Sequence, residues 1–347
     1  MPSEERGVAG DNFQWCHDIV GEVSRTFSLT VAQLERPLSD EICLGYLLCR
    51  VPDTIEDSCR LPPAEQQRLL DLYGEALAPA SATSIQEFRT ATASWVPDSP
   101  SSEWETVANA PRIVDAFRQL PSSSQEVIRP AVTELTSGMS LFVGRYAETG
   151  GLRIQSIEEL EEYCWYVAGT VGTLVTGLLD DAAPTHVRSR LWDSARSFAL
   201  LLQLVNVAKD VAVDYREENN VYVPAELLAA KGLTAADIDD PANAEAFVPV
   251  IETIADRAEG YLDDAQRWLE AMPLVRGNSL AAWAVPFLLA VGTLRELRHR
   301  PEDVVRTGSV KLSRAEVQAV LGQFAGEEPP SLDALRQQIQ EQPLHEA

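Results

Sequence analysis

Two acidic clusters lie inside apolar, helix-forming stretches of this chain, and any fold it adopts has to accommodate them. The first reads Arg50-Val51-Pro52-Asp53-Thr54-Ile55-Glu56-Asp57, and the second reads Gln203-Leu204-Val205-Asn206-Val207-Ala208-Lys209-Asp210-Val211-Ala212-Val213-Asp214. Carboxylates in a buried helix are costly unless something pairs them. Residues three and four apart share a helix face. Tyr46, Arg50, Asp53 and Asp57 therefore line up, with Glu56 beside them, among the apolar Leu44, Leu47, Leu48, Val51 and Ile55. Gln203, Asn206, Asp210 and Asp214 step in the same way behind the run Phe198-Ala199-Leu200-Leu201-Leu202. Magnesium takes oxygen ligands, keeps several waters and bridges carboxylates to substrate phosphates. The pairs Asp53–Asp57 and Asp210–Asp214 suit that use, and two such helices facing each other would hold divalent cations and, through them, a diphosphate. For the first cluster taken alone, a partly buried helix whose Arg50 pairs with its own carboxylates is an equally good reading. The matching second cluster weakens the explanation that stray acids merely sit at helix ends. Pro52 is out of place, because it removes one backbone hydrogen bond and kinks the axis.

Helical periodicity runs through most of the chain, and no Asn-Gly or Asp-Gly hairpin turn separates alternating segments. Helices are expected over roughly 10–31, 38–58, 63–78, 84–93, 102–119, 124–148, 156–180, 185–213, 224–230, 246–270, 277–298 and 313–323. Ser156 with Glu159, and Ser313 with Glu316, have the spacing of capping boxes. The motifs come from separated parts of the chain. This points to a single all-helical domain around a central apolar cavity, spanning 1–324, followed by a polar, Pro-containing and loosely ordered tail over 325–347.

The chain carries 28 Lys and Arg against 53 Asp and Glu, a formal charge of −25. Nucleic acid is excluded as a partner, since its phosphates need basic residues to neutralise them. An anionic membrane surface is disfavoured for the same reason. Solubility or a salt-adapted host explains the acidity as well as any function does. Five cysteines without a CxxC pair read as reduced thiols of a cytoplasmic protein. The N-terminus lacks a signal peptide's basic start and apolar stretch. The most apolar segment, Leu280 to Leu294, is short for a bilayer and contains Pro286, so it is expected to be a buried helix rather than a transmembrane anchor.

Taken together, the motifs resemble those of the squalene and phytoene synthases, head-to-head prenyltransferases of the all-α isoprenoid-synthase fold. Val23-Ser24-Arg25-Thr26-Phe27-Ser28 resembles the family's N-terminal diphosphate-contacting segment, and Tyr46 to Asp57 its first aspartate-rich motif. Tyr163-Cys164-Trp165-Tyr166-Val167-Ala168-Gly169-Thr170-Val171-Gly172 is similar to its central motif, and Gln203 to Asp214 to its second aspartate-rich motif. The matches occur in the family's order and span about Phe13 to Leu321.

The resemblance implies that two farnesyl diphosphates bind in one cavity. Asp53, Asp57, Asp210 and Asp214, with Glu56 alongside, would hold Mg2+ ions that act as Lewis acids on the leaving diphosphate. Ser24, Arg25, Thr26 and Arg50 would contact phosphate, and Gln203, Asn206 and Lys209 would contribute to substrate binding. Tyr163 would assist the reaction leading to presqualene diphosphate, and the rings of Tyr46 and Phe27 would stabilise cationic carbon. Small residues at Gly169 and Gly172 would admit a prenyl tail; for Gly172, plain helix packing reads equally well.

No GxGxxG segment follows a strand, so a Rossmann cofactor site is not expected. Ala284 to Leu294 and Gly308-Ser309-Val310-Lys311-Leu312-Ser313-Arg314 are similar to the C-terminal part of eukaryotic squalene synthases. That similarity implies NADPH as reductant, with Lys311 and Arg314 at its phosphate; ordinary surface charge at a helix start is the competing reading. The expected activity is that of a squalene synthase. The alternatives are a dehydrosqualene or phytoene synthase without reduction and, less favoured, a non-catalytic assembly protein. The expected partners are farnesyl diphosphate and a peripheral membrane contact for product release. Some positions depart from the family. Lys209 stands where Arg is usual and Val213 where an acidic residue is usual. Asn219-Asn220-Val221-Tyr222 replaces a segment that normally carries Arg, and Arg216 lies upstream of it. Lys209 keeps the charge but loses the planar fork of arginine.

Overall fold

A computed structural model describes residues 2–79, 82–95, 101–180, 182–272, 279–325 and 330–344, and their side chains apart from those of 2–11, 25–26, 82 and 279. The helices, in chain order, begin with α1 (Pro2–Val23), α2 (Arg25–Ala32), α3 (Leu38–Glu56), α4 (Pro63–Ala76), α5 (Ala82–Thr92) and α6 (Ser102–Ala108). They continue with α7 (Ala110–Phe117), α8 (Ser122–Arg145), α9 (Ile157–Cys164), α10 (Thr170–Asp180), α11 (Thr185–Glu218) and α12 (Ala225–Ala229). The last are α13 (Ala244–Glu259), α14 (Leu262–Ala271), α15 (Ser279–His299), α16 (Asp303–Arg306), α17 (Arg314–Gly322) and α18 (Leu332–Glu341). The described residues form no strand, and an isolated parallel bridge joins Arg153 to Val221.

Four expected helices are interrupted. The span 10–31 breaks at Ser24, which adopts an extended backbone and caps α2 by accepting from the Phe27 amide. The span 102–119 breaks at Asn109, with Pro111 in the first turn of α7. The span 246–270 breaks at Gly260. The span 156–180 carries a π-helical turn at Trp165–Gly169 between α9 and α10. Both expected capping residues act as such: Ser156 accepts from the Glu159 amide and Ser313 from the Glu316 amide. Within the span read as a tail, α18 buries Leu332, Leu335 and Ile339. A polar helix with one apolar stripe looks like a tail when hydropathy is averaged along it.

The chain divides into two compact units, one of residues 1–150, 173–182 and 274–279, the other of residues 151–172, 183–273 and 280–347. In the first, α3 is the central element and packs against α1, α4, α6, α7 and α8. Leu44, Leu47, Leu48, Val51 and Ile55 are fully buried there. Pro52 stays inside α3. It has no amide to give the Leu48 carbonyl, and the hydroxyl of the fully buried Tyr73 on α4 donates to that carbonyl instead, at 3.2 Å.

In the second unit the central element is α11, packed on α9, α13, α14 and α16. Its length reflects an apolar stripe that runs unbroken from Leu191 to Ala212. α15 is apolar and long enough to cross a membrane by length and composition, yet 78% of its most apolar window is buried within the protein, as expected for the segment from Leu280. α15, α17 and α18 are joined by a buried ion pair. Arg295, 2% exposed in its side chain, makes a bidentate contact with Glu316 at 2.8 and 2.9 Å and donates to the Ile339 carbonyl at 2.9 Å.

Candidate active-site residues

In the first unit, α3 presents Tyr46, Arg50, Asp53 and Asp57 on one face, all half-buried. Glu56 lies about a quarter turn off the axis of that face and is 3% exposed. Arg50 pairs with Asp53, three residues on, as the alternative reading allowed, and reaches Glu103 of α6 at 3.8 Å. Its Nε is buried and makes no hydrogen bond, so the guanidinium keeps a free donor. Burial works against the charge of Arg50, but Asp53, Tyr46, Asp57 and Glu103 overcome it and hold the group more basic than an ordinary arginine. Burial pushes the Asp53 carboxyl above its ordinary range, with Arg50 pulling the other way. Asp57 closes α3, its amide donating to the Asp53 carbonyl at 3.0 Å.

Next to these residues the rings of Phe27 and Tyr46 stack at 4.1 Å with planes 19° apart. Ser24 hydrogen-bonds the Tyr46 hydroxyl while capping α2. Its hydroxyl therefore serves local structure as well as lying in the diphosphate-like segment. The side chains of Arg25 and Thr26 lie outside the described residues. Glu103 was not legible as a neighbour, since nothing in its sequence surroundings connects it to Arg50.

In the second unit, α11 carries Gln203, Lys209, Asp210 and Asp214 half-buried and Asn206 exposed. Lys209 pairs with Asp210 through Oδ2, and the Ser309 hydroxyl donates to Asp210 Oδ1 at 2.6 Å. Burial, then the negative charges of Glu218 and Asp210, push Asp214 up to about 8, against the opposing pull of Lys209. One cation thus faces a crowd of carboxylates, and all the donors are hard oxygens. This is an electrostatic setting that a divalent cation relieves. Among the described residues no three His, Cys, Asp or Glu side chains form a complete ligand set. Two-carboxylate pairs completed by water and phosphate are the usual magnesium pattern, so both Asp53–Asp57 and Asp210–Asp214 fit that ion.

The segment that departs from the family pattern forms a network of its own. Asn219 takes the left-handed conformation, φ 58°, and ends α11. Arg153 bonds both its backbone and its side-chain oxygen, the latter at 2.6 Å. Asn220, 2% exposed, accepts from the Leu152 amide at 2.9 Å and donates to the Tyr222 hydroxyl at 3.1 Å. Tyr222 in turn meets the hydroxyl of Tyr163 at 3.3 Å, with the rings stacked at 5.0 Å. Arg216 turns elsewhere and bonds Asp239 at 2.6 Å. Gly172 packs on α11, where a Cβ would stand 2.8 Å from the Ala195 carbonyl oxygen and 2.9 Å from the Ala199 Cβ. Helix packing therefore accounts for that glycine. Lys311 and Arg314 are exposed.

The squalene/phytoene synthase family matches residues 20–316. The chain is 28% identical over 317 residues to the Botryococcus squalene synthase of Botryococcus braunii, covering 90% of this chain and 63% of that protein. It thus spans less than two thirds of that relative's length. It is 25% identical over 312 residues to the presqualene diphosphate synthase of the same organism, covering 86% of this chain and 70% of the other. In structure it resembles TcSQS in a ligand complex, with a TM-score of 0.77 at 22% identity, over 95% of this chain and 89% of the other. The all-α isoprenoid-synthase fold expected from the sequence is the fold observed.

Proposed function

The chain belongs to the squalene/phytoene synthase family, and from that premise we propose that it joins two farnesyl diphosphates head to head into presqualene diphosphate and reduces that product with NADPH to squalene. The observation that carries the reading is the pair of half-buried aspartate couples, Asp53–Asp57 and Asp210–Asp214, each with one cation, Arg50 or Lys209, bonded to one of its carboxylates. Magnesium held by these carboxylates would supply Lewis-acid neutralisation of a leaving diphosphate.

The chain's own residues contribute the rest. The Arg50 guanidinium, half-buried beside Asp53, would offer its donors to a phosphate oxygen, and charge-assisted bonds of this kind are the strong ones. Lys209 swings on a flexible stem from Asp210 towards an incoming anion. The stacked Phe27–Tyr46 pair offers ring faces that stabilise positive charge on an allylic carbon. Tyr163, held by Tyr222, presents a buried hydroxyl for proton transfer. Lys311 and Arg314 are exposed and free to meet the phosphate of NADPH. A second reading stops before reduction, and the 25% identity to a protein named presqualene diphosphate synthase favours keeping it in view.

The test is incubation of the purified protein with farnesyl diphosphate and magnesium, with and without NADPH, followed by product analysis. Squalene formed only with NADPH is the expected result. Presqualene diphosphate or dehydrosqualene as the end product with NADPH present selects the reading without reduction. No diphosphate released at all overturns both, and phytoene from geranylgeranyl diphosphate overturns the substrate assignment.

A further inference from the structure

Asp210 is held from a distant part of the chain. Residues 307–311 run against α11 as a strap with several anchors. Gly308, at φ 103°, lies 3.6 Å from Val213 and 3.5 Å from Arg216, measured from the Cβ it lacks. That backbone conformation is one that side-chain-bearing residues rarely adopt. The Val310 amide donates to the Lys209 carbonyl at 3.2 Å, and the Val310 side chain is fully buried. The Thr307 hydroxyl bonds the Ser309 carbonyl at 3.3 Å, and Arg300 donates to the Lys311 carbonyl at 2.8 Å. The strap therefore fixes Ser309, and Ser309 fixes one oxygen of Asp210 at 2.6 Å.

We propose that Ser309 is a positioning residue for a divalent cation at Asp210. This rests on the assignment of Asp210 and Asp214 as cation ligands. The two oxygens of Asp210 are held by very different partners. Ser309 sits on an anchored backbone and locks the carboxylate plane through Oδ1. Lys209 sits on a flexible stem and is free to leave Oδ2 when a cation arrives. A carboxylate whose second oxygen is hydrogen-bonded is held in the orientation its cation requires, and loss of such an outer partner typically costs 10- to 100-fold in affinity. The strap also continues directly into Lys311, so the same few residues set the cation ligand and the start of the exposed basic segment.

The experiment is titration of the full chain with Mn2+, read as free Mn2+ by electron paramagnetic resonance and so independent of turnover. Wild type, Asp210→Asn, Ser309→Ala and Ser309→Thr are compared, with folding confirmed by circular dichroism. Expected are a roughly 10- to 100-fold weaker site in Ser309→Ala and affinity restored towards wild type in Ser309→Thr, which keeps the hydroxyl. Unchanged or tighter binding in Ser309→Ala, with Asp210→Asn weakened, overturns the role of Ser309 alone. Unchanged binding in Asp210→Asn overturns the cation assignment itself.

Discussion

Tyr222 meets Tyr163 twice, through stacked rings 5.0 Å apart and through hydroxyls 3.3 Å apart. Asn220 donates to the same Tyr222 hydroxyl, so the orientation of Tyr163 is set by a residue that stands where the family usually carries a charged side chain. Tyr222→Phe keeps the stack and removes the hydroxyl. The expected outcome is a kcat reduced by roughly 10- to 100-fold with KM for farnesyl diphosphate little changed, measured by steady-state diphosphate release. An equal rise in KM at unchanged kcat contradicts a role at the reacting atoms.

The Tyr73 hydroxyl replaces the amide that Pro52 lacks. Tyr73→Phe leaves the buried Leu48 carbonyl without that donor, a loss of about 1–3 kcal/mol. Restoring the amide with Pro52→Ala supplies a helical donor to the same carbonyl. Urea denaturation of both single variants and the double variant should therefore show coupling: Tyr73→Phe costs less in the Pro52→Ala background than in wild type.

Asp214 titrates near 8 rather than 3.8. In metal-free protein between those values the folded chain holds a proton that the unfolded chain has released. The stability this provides is complete below the unfolded value and is lost as pH rises through about 8. Thermal melts in EDTA should show the Tm of wild type falling towards pH 8 more steeply than that of Asp214→Asn. Parallel curves for the two proteins would contradict the shift.

The Arg295–Glu316 pair is almost fully buried. Arg295 also pairs with Glu296 at 2.8 Å, so Glu316→Gln removes one of the two carboxylates at the buried guanidinium. It should cost less than the roughly 3–5 kcal/mol of a charge left wholly unpaired, whereas replacing both Arg295 and Glu316 by Met should recover much of that loss. Chemical denaturation of the two variants distinguishes an ion pair retained for net stability from one whose removal is tolerated when both charges leave together.

The helices were legible because the 3.6-residue period persists over long stretches such as 185–213, and the aspartate couples because their spacing is local. The breaks were not. Ser24, Asn109 and Gly260 each sit in a periodic run, and only the backbone shows that a cap or a bend prevails there. The partners of the candidate site were hidden for a different reason. Glu103 and Ser309 reach Arg50 and Asp210 across 53 and 99 positions of chain, and no periodicity carries information over such separations. Asn220 was visible only as a departure from the family pattern. Its role depends on the Leu152 amide, 68 positions away in the chain, which joins the Tyr222 hydroxyl two residues on only once the chain has folded.

The π turn at Trp165–Gly169 settles how one continuous rod serves two neighbours. Tyr163 and Gly172 are nine residues apart, which in an uninterrupted α-helix would aim them about 180° from each other. The wider π winding takes back roughly a quarter turn. The tyrosine can then meet the chain just past the end of α11 while the glycine lies flush against its middle. Straightening this one bulge by deleting a single residue would swing one of the two away from its seat. The central motif is thus held in its length as strictly as in its glycine at 172, where a Cβ has no room.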